Sequence, residues 1–216
     1  MTRNETIFYF TLGIINISSG LLDLEWLNYV SKPLLMISLL FFYFQKVRKN
    51  MGTSDKIMLV SLIFSCLGDT FLMFQGKNQQ FFLLGLGSFL VAQISYTFIF
   101  HKGSKAQYLK RIPFLIYTIV LVETLIHEIP KDFKIPIYVY SLAITLMGIK
   151  AMERQTNQKS YRFVLIGAIL FIISDSLIAI NKFAFPIPLS GLWVMATYIA
   201  AQYLIVEGVL LGRNTK

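Results

Sequence analysis

Residues 161–181 read YRFVLIGAILFIISDSLIAIN. Beyond Arg162 the run holds one charged side chain, Asp175. A helix needs about 20 mostly apolar residues, at about 1.5 Å each, to cross the hydrocarbon of a bilayer. This run meets that requirement. Seven more runs bounded by charges do so to varying degrees: roughly 6–23, 27–45, 57–75, 80–100, 112–128, 135–150 and 189–211. The fifth and sixth are short, near the lower limit. The expected fold is all-α: one polytopic membrane helix bundle of about eight transmembrane helices, a single integral-membrane domain over residues 1–216. The connections are short and leave no room for a soluble domain. The first run has only Arg3 before it and no small-residue cleavage pattern after it, so it reads as a retained helix rather than a signal peptide.

Composition points the same way. Of 216 residues, 56% are hydrophobic and 14% charged, against about 45–50% and about 25% in soluble domains. A soluble globule of this size could not hide so much apolar surface, which excludes a secreted, disordered or nucleic-acid-binding soluble protein. The net charge of +9 has a simpler source than nucleic acid, the cytoplasmic bias of Lys and Arg in membrane proteins. Arg3, Lys46, Arg48, Lys49, Lys56, Lys102, Lys105, Lys110, Arg111, Lys150, Arg154, Lys159, Arg162, Arg213 and Lys216 fall on one side of the eight runs. Lys77, Lys131, Lys134 and Lys182 fall on the other. Both termini are therefore expected in the cytoplasm. The setting that best fits is a bacterial inner membrane.

A faint repeat accompanies this alternation. Residues 64–74 read FSCLGDTFLMF and residues 171–180 read FIISDSLIAI, and an Ala-Gln pair recurs at Ala92-Gln93 and Ala201-Gln202. A 4+4 duplication would account for both.

Charged groups in hydrocarbon cost about 2.5–3.5 kcal/mol each at the helix centre, and by default they mark a function. Asp69 lies thirteen residues beyond Lys56 and Asp175 thirteen beyond Arg162. Both therefore sit about 20 Å from the cytoplasmic edge. Lys32, about five residues in from the other surface, reaches nearly the same level. A cluster that only holds helices together is one reading. The other is acid–base chemistry, since a Lys shared by two Asp would keep one carboxylate ionised and leave the other to take a proton. Gln93 and Tyr96 share one face of the fourth run, and Tyr198 and Gln202 one face of the eighth; they suit a polar lining that positions substrate and water. Asn181 and Lys182 close the seventh run before the stiff segment Phe185-Pro186-Ile187-Pro188. His101 and His127 lie at opposite surfaces and Cys66 stands alone, so no metal and no cofactor are expected.

Several of these segments resemble a known family. Phe64-Ser65-Cys66-Leu67-Gly68-Asp69-Thr70-Phe71-Leu72 is similar to its FSxxGDxFL segment. Gly167 to Asp175, followed by Ala179-Ile180-Asn181-Lys182-Phe183, is similar to its GAxLFxxSDxxxAxxxF segment. Ser31-Lys32-Pro33-Leu34 resembles an early Lys-Pro signature, and Thr197-Tyr198-Ile199-Ala200-Ala201-Gln202 a tail with Tyr and Ala-Gln. These are marks of the YhhN-like lysoplasmalogenase family, and the resemblance runs from about residue 31 to 208. It implies an eight-helix membrane hydrolase that cleaves the vinyl ether bond of lysoplasmalogens to a fatty aldehyde and a glycerophospho-head group. Its partners would be a lysophospholipid substrate and the lipid bilayer, without nucleic acid. Asp69 and Asp175 are the expected catalytic pair, with Lys32, Gln93, Tyr96, Asn181, Lys182, Tyr198 and Gln202 positioning substrate or water. Many members of the family carry His where this chain has Gln93, and Gln can hydrogen-bond but cannot titrate. A transporter or lipid-binding membrane protein using the same buried charges is the alternative.

Overall fold

In the computed structural model, residues 1–213 are described, so the Lys216 included in the charge count lies outside the described residues. The described residues form eight helices: α1 Arg3–Leu21, α2 Glu25–Val47, α3 Thr53–Met73, α4 Gln79–His101, α5 Tyr108–Leu125, α6 Lys131–Glu153, α7 Gln158–Phe183 and α8 Ser190–Arg213. Each apolar run falls on one helix. The run expected over 135–150 is the exception in length, since α6 has 23 residues. Its backbone stays helical through Lys131, Lys150 and Glu153, charged residues that close an apolar run without closing a helix.

Six helices are long and apolar enough to cross a membrane, α2, α3, α4, α6, α7 and α8. The chain is an integral membrane protein with an all-helical, polytopic architecture. The other two helices are less apolar for visible reasons. Helix α5 has 18 residues with Lys110, Arg111 and Glu123 among them. Helix α1 opens on Arg3, Asn4 and Glu5 and carries Asn16, Ser18 and Ser19.

Two helices turn most of their large apolar side chains outward. On α1 the buried residues are Tyr9, Gly13, Asn16 and Ser19, spaced three or four apart, while Ile7, Phe8, Ile14 and Ile15 are exposed. On α5 Leu109, Ile112, Leu115, Ile116, Ile119 and Val120 are exposed and only Leu125 is buried. Apolar surface on this scale needs a lipid environment.

The helices form two compact units, Met1–Tyr96 and Thr97–Lys216. In the first, α2 packs against both α1 and α3. Helices α3 and α4 approach closely because glycines face them: a Cβ on Gly68 would come within 2.6 Å of the Phe89 ring, and one on Gly85 within 2.8 Å of Leu72. In the second unit, α6 packs against α5 and α7, and α7 against α8. Gly167 lies where a Cβ would be 2.9 Å from the Ala201 carbonyl oxygen, and Gly208 where one would be 2.7 Å from Val164. Small residues at helix contacts let backbones approach, which is where membrane helices gain packing energy.

Polar side chains close the helix ends. Thr2 and Glu5 form a reciprocal cap on α1: the Thr2 N–H donates to Glu5 Oε2 at 2.6 Å and the Glu5 N–H to Thr2 Oγ1 at 3.3 Å. Asp55, 5% exposed, accepts from Gly52 N–H and from the Tyr43 hydroxyl, each at 2.8 Å, tying α2 to the start of α3. Asn157 Oδ1 accepts from Ser160 N–H at 2.8 Å at the start of α7.

Candidate functional site

Each unit holds one carboxylate of the expected pair inside its helices. In the first, Asp69 near the end of α3 is 3% exposed. Lys32 on α2 places Nζ 3.7 Å from Asp69 Oδ1, so the depth argument from sequence brings these two together. The elements around them explain how. Ser31 Oγ, one residue before the lysine, accepts from Asn16 Nδ2 of α1 at 2.9 Å. Pro33, one residue after it, offers its carbonyl to the Cys66 thiol of α3 at 3.9 Å. Thus α1 and α3 grip α2 on either side of Lys32. The pair is buried among polar groups: Tyr9 is fully buried and within electrostatic reach of Asp69 and Tyr96. Gln93 and Tyr96 of α4 are likewise fully buried.

In the second unit, Asp175 on α7 accepts a hydrogen bond at Oδ2 from the Tyr140 hydroxyl of α6. The next residue, Ser176, accepts from the Tyr117 hydroxyl of α5, so α5 and α6 both aim tyrosines at this turn of α7. Phe171, four residues before Asp175 and on the same helical face, meets the Tyr198 ring edge-on at 5.6 Å between centroids. Gln202 Nε2 donates to the Tyr198 hydroxyl at 3.2 Å, and both side chains are buried.

Asn181 and Lys182 lie apart from this turn. The Asn181 Oδ1 accepts from Ile187 N–H at 2.8 Å, so its amide holds the Pro186–Pro188 loop in place. The Lys182 ammonium is exposed and stands 5.8 Å from the Phe183 ring centroid. Among the described residues, no three His, Cys, Asp or Glu side chains gather as metal ligands would.

Tyr9, Asn16, Tyr117 and Tyr140 join these clusters without having stood out in the sequence. The signals used there were charge inside an apolar run and paired polar residues on one face of the fourth and eighth runs, and these four lie on other helices and carry no charge. A weaker signal existed on α1, where Tyr9 and Asn16 fall seven apart on one polar stripe of an otherwise apolar helix.

A family model decides the relationship: residues 27–209 match the YhhN family. The chain belongs to this family. The match runs from early α2 to late α8 and takes in Lys32, Asp69 and Asp175, but not Tyr9 and Asn16 of α1. Relatives include "Lysoplasmalogenase TMEM86A" of Bos taurus, 34% identical over 163 residues, which are 73% of this chain and 66% of the relative. The Homo sapiens TMEM86A shows the same identity and coverage. "Lysoplasmalogenase TMEM86B" of Sus scrofa is 29% identical over 186 residues, 84% of this chain and 74% of the relative. The chain thus spans about two thirds of the length of the TMEM86A relatives. No solved structure matches.

Proposed function

We propose that this protein is a membrane hydrolase that cleaves the vinyl ether bond of lysoplasmalogen-type lysolipids. The observation that carries the reading is family membership together with relatives named lysoplasmalogenases. The buried carboxylates supply a chemistry to match. A proton is added to the β-carbon of the vinyl ether, giving an oxocarbenium ion. Water adds to that ion and loses a proton, and the resulting hemiacetal collapses to a fatty aldehyde and a glycerophospho-alcohol. The net reaction consumes one water and needs no redox partner.

Such a sequence asks for an acid able to protonate carbon and a carboxylate to steady the cation and draw a proton from water. Asp69 and Asp175 are the proposed pair. The Lys32 ammonium gives Asp69 the counter-charge that the carboxylate role asks for. The Tyr140 hydroxyl orients Asp175. Gln93, Tyr96, Tyr198 and Gln202 offer buried amides and hydroxyls for water and head group, and none needs to titrate. Lys182, exposed at the end of α7, is the proposed contact for a lipid phosphate. The proposed setting is a bacterial cytoplasmic membrane with both termini on the cytoplasmic side, as the distribution of Lys and Arg supports.

The test is aldehyde release from a lysoplasmenyl lipid by detergent-solubilised protein. Wild type is expected to release aldehyde, and Asp69→Asn and Asp175→Asn each to lose it by about 10²–10⁴-fold while remaining folded. Full activity in both variants would remove the two-carboxylate mechanism. Absence of any aldehyde from wild type, with solute movement across vesicles instead, would favour a transporter.

A further inference from the structure

At the end of the second unit where α5 and α7 begin and α6 ends, the helices leave an open cleft of about 420 Å³. Gln107, Lys110, Arg154, Gln155, Thr156, Gln158 and Tyr161 line it. Every one of these side chains can donate a hydrogen bond, and none is a carboxylate. The cations beside it are not equivalent. Arg111 Nε and Lys150 Nζ are both paired with the fully buried Glu153, at 2.5 and 2.7 Å. Glu153 also accepts from Gln107 N–H at 3.1 Å, so three of its acceptor positions are taken and none of the cleft-lining side chains is a carboxylate.

Arg154 and Lys110, by contrast, have no carboxylate partner among the described residues. Arg154 Nη1 donates to Ser160 Oγ at 3.0 Å, and Ser160 in turn donates to the Gly208 carbonyl at 2.6 Å. The guanidinium stands 5.9 Å from the Phe100 ring centroid, and a Cβ on Gly212 would come within 2.8 Å of its Nη2. The side chain is therefore fixed by three helices. Burial holds its guanidinium down to about 10, and no ion pair raises it again. A positioned, partly desolvated guanidinium with a free-standing lysine beside it is what an anion with several acceptor oxygens needs.

We infer that this cleft binds a phosphate group, with Arg154 as the fixed donor and Lys110 closing over it. The charge distribution of the sequence puts this end of the bundle on the cytoplasmic side, where a phosphodiester head group of an anionic lipid and free phosphate are the two sources of that chemistry. The site is independent of the hydrolase reading, since it shares no residue with either carboxylate cluster.

Binding is measured on purified full-length protein in neutral detergent, with dioleoyl-phosphatidylglycerol as one probe, inorganic phosphate as the second, and dioleoylglycerol as the uncharged control. Wild type is expected to prefer phosphatidylglycerol over dioleoylglycerol by at least about tenfold, the worth of a charge-assisted hydrogen bond. Lys110→Gln, at an exposed position, should lose most of that preference, and Arg154→Lys should retain part of it. Lys131→Gln is the control, at the opposite end of α6 and about 34 Å from Arg154 along the helix; it should change binding less than twofold. Competition by inorganic phosphate assigns the site to the phosphate group itself. Lack of competition with the lipid preference intact assigns it to the head group. The inference is overturned if wild type binds neither probe above the uncharged control, or if Lys110→Gln and Lys131→Gln weaken binding equally.

Discussion

The pair Lys32–Asp69 invites a double-mutant cycle, because its energy and its chemistry can be separated. At 3.7 Å, two unit charges attract by about 4–5 kcal/mol at an effective dielectric of about 20. Asp69 has only 4% of its side chain exposed and Lys32 16%, so both are largely desolvated. Removing one partner of such a pair costs about 3–5 kcal/mol, because the other charge stays buried and uncompensated. The lower end applies here, since Lys32 still reaches solvent. Lys32→Met should therefore destabilise by about 3 kcal/mol. Asp69→Asn keeps the shape and strands the ammonium instead, at a similar cost. The double variant removes both charges and should cost less than the sum of the singles by about 2 kcal/mol, within the range seen for contacting pairs. The measurement is SDS titration in mixed micelles, read by helicity. Aldehyde release is assayed in parallel: Lys32→Arg should keep activity, whereas the double variant, about 4 kcal/mol less stable than wild type on these figures, should be inactive under conditions where its helicity is still native. Additivity within about 0.5 kcal/mol would mean that the charges do not feel each other and would refute the reasoning. An active double variant would separately remove Asp69 from the chemistry.

Other perturbations probe separate parts of the structure. Tyr140→Phe deletes the donor to Asp175; loss of a hydrogen bond to a charged group, about 1.5–3 kcal/mol, should lower kcat about ten- to hundredfold in the aldehyde assay with the fold intact. Gly167→Ala puts a methyl 2.9 Å from the Ala201 oxygen and 3.0 Å from the Ile205 nitrogen, both backbone atoms, and should destabilise by about 1–3 kcal/mol. Gly87→Ala, with nothing within 4 Å, should be neutral or slightly stabilising in the same SDS titration. Glu5 offers a pH test: burial pushes its carboxyl up, but hydrogen bonds from Thr2 and Lys46 outweigh this and hold it below the ordinary glutamate value. A lowered folded value stabilises above the ordinary pKa and is lost as pH falls through the folded one, so stability should drop on acidification from near pH 4–5 downward, and Glu5→Gln should flatten that limb.

What the sequence revealed and what it hid follow from one physical contrast. In hydrocarbon, the cost of a polar group scales steeply with its charge. Eight apolar runs were legible because charges punctuate them, and Lys32 and Asp69 were legible because a charge inside a run needs a reason and a partner. Tyr140, which meets Asp175, and Tyr117, which meets Ser176, were not, because a hydroxyl on an aromatic ring costs little and changes the hydropathy of a helix hardly at all. Asn181 was visible as a polar residue near the site signature, and the structure adds that its Oδ1 accepts from the Ile187 N–H, a contact that leaves its Nδ2 donors unused. The same contrast separates the cations at the other end of the second unit. By sequence Arg111, Lys150 and Arg154 are equivalent basic residues near a membrane surface. Only the placement of Glu153 divides them into two that share a carboxylate and one that has none. In a chain this poor in acidic residues, where the carboxylates go decides which cations are left to bind something else.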